Sequence, residues 1–95
     1  MYMRINANLF LYKEGRKTPF SNGYRPLFSI NGKNYSGEIN LKDRNYLSPG
    51  EKSIVKIVFF HDYLELQVGD ILYFSEDTRI ILGEIEVLEI GGSIS

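Results

Sequence analysis

Few residues in this chain could do chemistry. The single histidine, His61, stands beside Asp62, and an imidazole next to a carboxylate is a common proton shuttle. Adjacent residues of a strand point to opposite faces, so these two side chains are not expected to meet. A polar pair between Phe60 and Tyr63 reads as a strand end. Gly15-Arg16-Lys17-Thr18 has the ending of a phosphate-binding loop. It lacks the upstream glycine at the required spacing, and Pro19-Phe20 follow where a helix should begin. Glu84, Glu86 and Glu89 offer paired carboxylates, with Glu84 and Glu86 on one strand face. Glycoside cleavage would need one of them in an apolar pocket, and the charged outer face of a terminal strand accounts for them better. There is no cysteine, which excludes a thiol nucleophile, a disulfide scaffold, an iron–sulfur cluster and a thiolate zinc site. One histidine is too few for a His-rich metal site. The expectation is a protein that is not an enzyme and uses no cofactor.

The segment Lys13–Arg25 is of another kind. It holds Lys13, Arg16, Lys17 and Arg25 with Phe20 and Tyr24 between them. Basic residues interleaved with aromatics on a loop suit an RNA backbone or an acidic protein surface. In the competing reading the aromatics seal the end of the core and the arginines bond loop carbonyls. Phe20 is expected to be buried and Lys17 free.

The elements that must position this loop read as strands from end to end. Tyr2–Lys13 alternates, with Ile5, Ala7, Leu9 and Leu11 on one side. Leu27–Ile30 and Lys33–Ile39 flank Asn31-Gly32, the strongest short hairpin signal, since both central residues of a type I′ turn need positive φ. Lys52–Phe60 is dense in β-branched and aromatic residues. Tyr63–Gln67, Ile71–Ser75 and Arg79–Ile90 complete the set, the last two joined by an acidic turn at Glu76-Asp77-Thr78. Residues 91–95 are expected to fray. Nowhere do 11 or more residues keep a helical apolar period. About six strands with short turns favour closure into an all-β, antiparallel barrel or a sandwich, because closure removes exposed edges.

At 95 residues this is one domain, 1–95, and the composition, 43% hydrophobic and 24% charged, is that of an ordinary folded one. Net charge is −1, which argues against a non-specific DNA coater. The charge is uneven. Residues 1–52 hold nine Lys and Arg against four Asp and Glu, and residues 53–95 hold two against eight. The halves are therefore +5 and −6, a dipolar domain if they fold onto different faces. No apolar run has the ~18 residues of a membrane span, and the start MYMRINANL lacks the layout of a signal peptide. A cytoplasmic protein with no membrane partner is expected, a natural single-domain protein rather than an excised fragment.

Six motifs then occur in order: GRKTPF (15–20), NGYRPLF (22–28), SGEI (36–39), SPGEK (48–52), LQVGDILYF (66–74) and TRIILGEIEV (78–87). Together they closely resemble the third, C-terminal domain of elongation factor Tu and its translational GTPase relatives, whose pattern runs G-G-R-x-T-P-F, Y-R-P-Q-F, T-G-x-I, P-G-D and a final G-R-T-V-G-x-G-x-V strand pair. The resemblance covers about 9–90. It implies a six-stranded antiparallel closed β-barrel without catalytic residues. In that family the barrel packs on a second domain, touches the T-arm of aminoacyl-tRNA, and meets the GTPase domain and the nucleotide-exchange factor. Carried over by position, Arg16, Lys17 and Thr18 occupy the loop near the tRNA, and Tyr24, Arg25 and Pro26 the turn that anchors it. The sequence departs from the pattern at Glu14 in place of the first glycine, Leu27 in place of glutamine, and Glu76-Asp77 in place of a glycine pair. Thr78-Arg79 reverses the family order, so no role passes to either. The resemblance is to the third domain alone; nothing in these 95 residues resembles the GTPase domain or the second barrel.

The resulting expectation is a non-catalytic, stand-alone binding module that engages a protein partner, a translation factor first among them. Its site residues are Lys13, Arg16, Lys17, Thr18, Tyr24 and Arg25. The alternatives are a tRNA-like RNA bound through the same loop, which the overall charge and Glu14 disfavour, and a purely structural or assembly domain. Replacing Arg16 or Lys17 by alanine is expected to weaken binding without lowering the melting temperature.

Overall fold

The structure is a computed structural model that describes residues 2–94. It contains eight strands: β1 (Tyr2–Leu11), β2 (Phe20–Ser21), β3 (Leu27–Ile30), β4 (Lys33–Leu41), β5 (Tyr46–Leu47), β6 (Lys52–Phe59), β7 (Ile71–Ser75) and β8 (Ile81–Ile94). Six close an antiparallel barrel in the order β1-β6-β4-β3-β7-β8, with β8 returning to β1. The fold is thus all-β and a six-stranded closed barrel, one of the two closures that the strand pattern left open and the one that the motif resemblance implied. No helix among the described residues is long and apolar enough to cross a membrane.

The alternation in β1 translates directly into burial. Ile5, Ala7, Leu9 and Leu11 are fully enclosed, while Arg4 and Asn8 face out. Val55, Ile57 and Phe59 of β6 and Ile85 and Val87 of β8 fill the same interior. A triplet of rings, Phe28 against Phe59 at 5.3 Å and Phe74 at 5.6 Å, occupies the centre where β3, β6 and β7 converge; such pairs prefer tilted or edge-on geometry. The β3–β4 hairpin turns at Asn31 (φ 51°) and Gly32 (φ 81°), the two positive values that the Asn-Gly pair predicts.

Three local features differ from the sequence reading. Residues 63–67 form no strand, although Leu64 and Leu66 are buried and Glu65 and Gln67 exposed. A closed barrel has no vacant edge, so this segment satisfies its period of two by resting two leucines on the core without pairing. Asp70 closes it, accepting the Gln67 amide at 2.8 Å. The long loops also pair: β2 and β5 match Phe20 with Leu47 and Ser21 with Tyr46, and both apolar members are buried. Finally, β8 begins at Ile81 rather than Arg79, and its pairing with β1 continues as far as Ile94; Ser95 lies outside the described residues.

The strand order also decides the charge distribution. β6, though it falls mostly in the acidic half by sequence, carries Lys52 and Lys56 and no acid, and it lies between β1 and β4 of the basic half. β7 and β8 lie side by side, so the glutamates of β8 occupy a separate sector of the wall.

Candidate functional site

The loop from Tyr12 to Pro26 crosses one end of the barrel, and its path is set by backbone contacts. The Tyr12 amide donates to the Leu82 carbonyl at 2.9 Å. Gly15 then passes so close to β8 that a Cβ there would sit 2.9 Å from the Leu82 Cα. Only glycine permits that approach. Farther on, Phe20 buries itself beside Leu47, and Tyr24 bridges to Ile39 through the Gly23 amide (3.0 Å) and the Ile39 amide (2.8 Å). The Asn22 side-chain oxygen accepts the Leu41 amide.

Within this frame Arg16 turns inward. Its Nε donates to the Thr18 carbonyl at 2.9 Å and one terminal nitrogen to the Pro19 carbonyl at 3.4 Å. The other forms a salt bridge with Glu76 of the β7–β8 turn. The Tyr24 hydroxyl donates to the same carboxylate oxygen at 2.7 Å. The Arg16 guanidinium lies 4.8 Å from the Tyr24 ring centroid, and the Tyr24 ring stacks on Phe20 at 4.6 Å. Arg16, Tyr24 and Glu76 therefore form one lock between two segments far apart in sequence. Burial of the Tyr24 phenol, together with its bond to Glu76 and the charge of that carboxylate, pushes its pKa well up, against the opposing pull of Arg16.

The turn that supplies Glu76 is itself shaped locally. Thr78 adopts φ 69°, a left-handed value uncommon outside glycine, and its amide donates to the buried Ser75 hydroxyl at 3.1 Å. Asp77 accepts the Arg79 amide at 3.1 Å and its guanidinium at 2.8 Å. Those bonds, the backbone one first, hold the Asp77 carboxyl below its usual range.

The six site residues expected from the sequence thus divide into three groups. Arg16 and Tyr24 serve the lock. Lys13, Lys17 and Thr18 are exposed, and no side-chain partner engages them among the described residues. Arg25 departs from the loop: its guanidinium lies 4.4 Å from the Phe60 ring centroid, with Nε 3.9 Å from Glu38. A depression of about 270 Å³, lined in part by Arg16, Phe20, Asn22 and Tyr24, opens beside the lock. Glu76 is the residue of the lock that sequence reasoning missed. The available signal was an excess of acid in one half of the chain and of base in the other.

The other groups that the sequence offered for chemistry lie apart from the lock. His61 Nδ1 lies 3.0 Å from the Tyr63 carbonyl, and its ring packs edge-on against Tyr35 at 5.0 Å. Glu84 and Glu86 share the outer face of β8, opposite Tyr73 and Ile71. No group of three or more metal-ligating side chains occurs among the described residues. Comparison with protein-family models and with curated proteins finds no match to this chain.

Proposed function

We propose that this barrel is a non-catalytic, cytoplasmic binding module that presents Lys13, Lys17 and Thr18 to an acidic surface of a protein partner. The observation that carries this reading is the contrast within one loop. Arg16 and Tyr24 hold it to the β7–β8 turn, while the two lysines beside Arg16 stay exposed and unpaired among the described residues. A loop fixed before binding gives up less conformational freedom on contact. The motif resemblance to the third domain of elongation factor Tu supports the same loop and makes a translation factor the first partner to assay. RNA is the weaker reading. Base stacking needs an available aromatic face, and the Tyr24 ring is already engaged by Phe20 and Arg16.

The test is affinity capture by the full chain and by a Lys13→Ala/Lys17→Ala variant, each with and without RNase. Proteins held by the wild type should be lost from the variant by roughly fivefold or more, the worth of two exposed charge contacts. RNase should change nothing, and the melting temperature should be the same for both chains. Equal retention by the two chains overturns the loop as the site. Loss of retention on RNase treatment overturns the protein partner in favour of RNA.

A further inference from the structure

The outer face of four consecutive strands, β6-β1-β8-β7, carries most of its charge in two columns, with Arg4 of β1 between them at the end of that strand away from Phe10. Strand register places Lys52 of β6, Phe10 of β1 and Glu84 of β8 in one row. Two steps along, Ile54, Asn8 and Glu86 form the next row, and Lys56, Asn6 and Glu89 the one beyond. Residues directly opposite one another share a face, so β6 presents a lysine column and β8 a glutamate column with β1 between them. Two strand spacings, roughly 10 Å, separate the columns. Consistent with that distance, neither lysine forms an ion pair among the described residues. Lys52 instead lies 5.5 Å from the Phe10 ring centroid, Glu84 accepts the Tyr12 hydroxyl, and Glu89 the Asn6 amide. Apolar surface accompanies the columns: Ile54 is 42% and Ile71 43% exposed.

We infer that this face is self-complementary and associates with a second copy of the chain. A two-fold axis running along β1, in the plane between two such faces, exchanges left for right at constant height. It sets the lysine column of one copy over the glutamate column of the other, twice over, as an isologous interface requires. Phe10 then meets its own counterpart near the axis, and close contact is confined to the rows from Phe10 to Asn6, short of the like-charged Arg4 pair. The other two-fold arrangement, with the axis across the strands, would set glutamate against glutamate. Charge thus selects one geometry. It also selects the occupant, because a partner bearing one sign of charge would match one column and be repelled by the other. This surface lies on the wall of the barrel, and its use is independent of the Lys13–Lys17 loop at the barrel end.

Sedimentation equilibrium of the full chain from about 1 µM to about 1 mM, the range of weak specific association, reads the outcome. The wild type should rise toward twice the monomer mass, less so at high salt. Lys52→Glu/Lys56→Glu makes both columns acidic, and Glu84→Lys/Glu89→Lys makes both basic. Each variant alone should lose at least about tenfold in self-affinity, since every exchanged pair counts twice. An equimolar mixture of the two should recover the association. Ile54→Asp, an outward change on the same face, gives a second reading and should weaken the wild-type dimer. A wild type that stays monomeric throughout overturns the inference. So does a mixture that fails to associate, or an Ile54→Asp chain with undiminished affinity.

Discussion

Two arginines of the same loop meet the same kinds of partner and do different work. Arg16 lies 4.8 Å from the ring centroid of Tyr24 and is paired with Glu76; Arg25 lies 4.4 Å from that of Phe60, 3.9 Å from Glu38. The Arg16 side chain is 23% exposed and that of Arg25 57%. Around Arg16, two loop carbonyls and a tyrosine hydroxyl converge with it and one carboxylate, and the ring beneath is backed by buried Phe20. Around Arg25, the ring is itself exposed and packs edge-on against exposed Tyr2. A cation over a ring near a carboxylate does not by itself make a fastening. What makes one is convergence of several donors on a single acceptor, with the core close behind. Exposed pairs of the second kind contribute about 0–1 kcal/mol.

The largest difference between the two regions should come from the rings. Phe20→Ala empties a buried position next to Leu47 and removes the support of Tyr24, and should cost about 3 kcal/mol or more. Phe60→Ala, at a ring 38% exposed, should cost under about 1 kcal/mol. Urea denaturation of both variants checks the pair, and equal losses would break the distinction between lock and surface contact.

Charge should produce the next effect. Glu76→Ala leaves the Arg16 guanidinium with carbonyl partners only and the Tyr24 hydroxyl without its acceptor. Hydrogen bonds to charged groups are worth about 1.5–3 kcal/mol; half-exposed Glu76 belongs at the low end, about 2 kcal/mol. For a domain of this size that is roughly 10 °C in melting temperature. Arg16→Ala should follow it closely, since both variants break one unit, whereas Arg25→Ala should stay within about 0.5 kcal/mol. The contacts of Arg16 change the expectation for it: removing it should destabilise the chain, and Lys17 is the residue that should separate binding from stability. A wild-type melting temperature for Glu76→Ala would sink the lock.

The barrel was legible because its determinants are local and periodic. A strict period of two in β1, β-branched runs in β6 and one Asn-Gly turn suffice to give strands; the need to leave no edge narrows them to a barrel or a sandwich, and the motif resemblance pointed to the barrel. The lock was not legible for the converse reason. Arg16 and Glu76 are 60 positions apart, and nothing in the residues around either announces the other. Loop motifs identify which segment is unusual; only the folded chain decides which of its cations are consumed internally. The same limit applied to 63–67, where Leu64 and Leu66 have strand-like spacing yet find every edge taken.

The smallest effect is also the most local. Two phenols donate to glutamates: Tyr24 to Glu76 and Tyr12 to Glu84 at 2.7 Å. The bond to Glu84, then burial and the neighbouring charge, push Tyr12 up from 10.0 to about 12, and Tyr24 is raised as well, burial contributing most. A raised folded-state pKa means the folded chain favours the protonated phenol. The stability this supplies is full below pH 10 and is lost as pH climbs, for Tyr12 between about 10 and about 12. Phenolate absorbance should therefore show both groups among the last to ionise before alkaline unfolding. Glu76→Ala removes the hydrogen bond and the charge that hold Tyr24 up but leaves its burial in place, so Tyr24 should ionise at lower pH without returning fully to 10. Tyr12, whose acceptor is Glu84, should stay at about 12 and serves as the internal reference. If the two phenols shifted together, the effect would be general loosening of the barrel end rather than the opening of one bond.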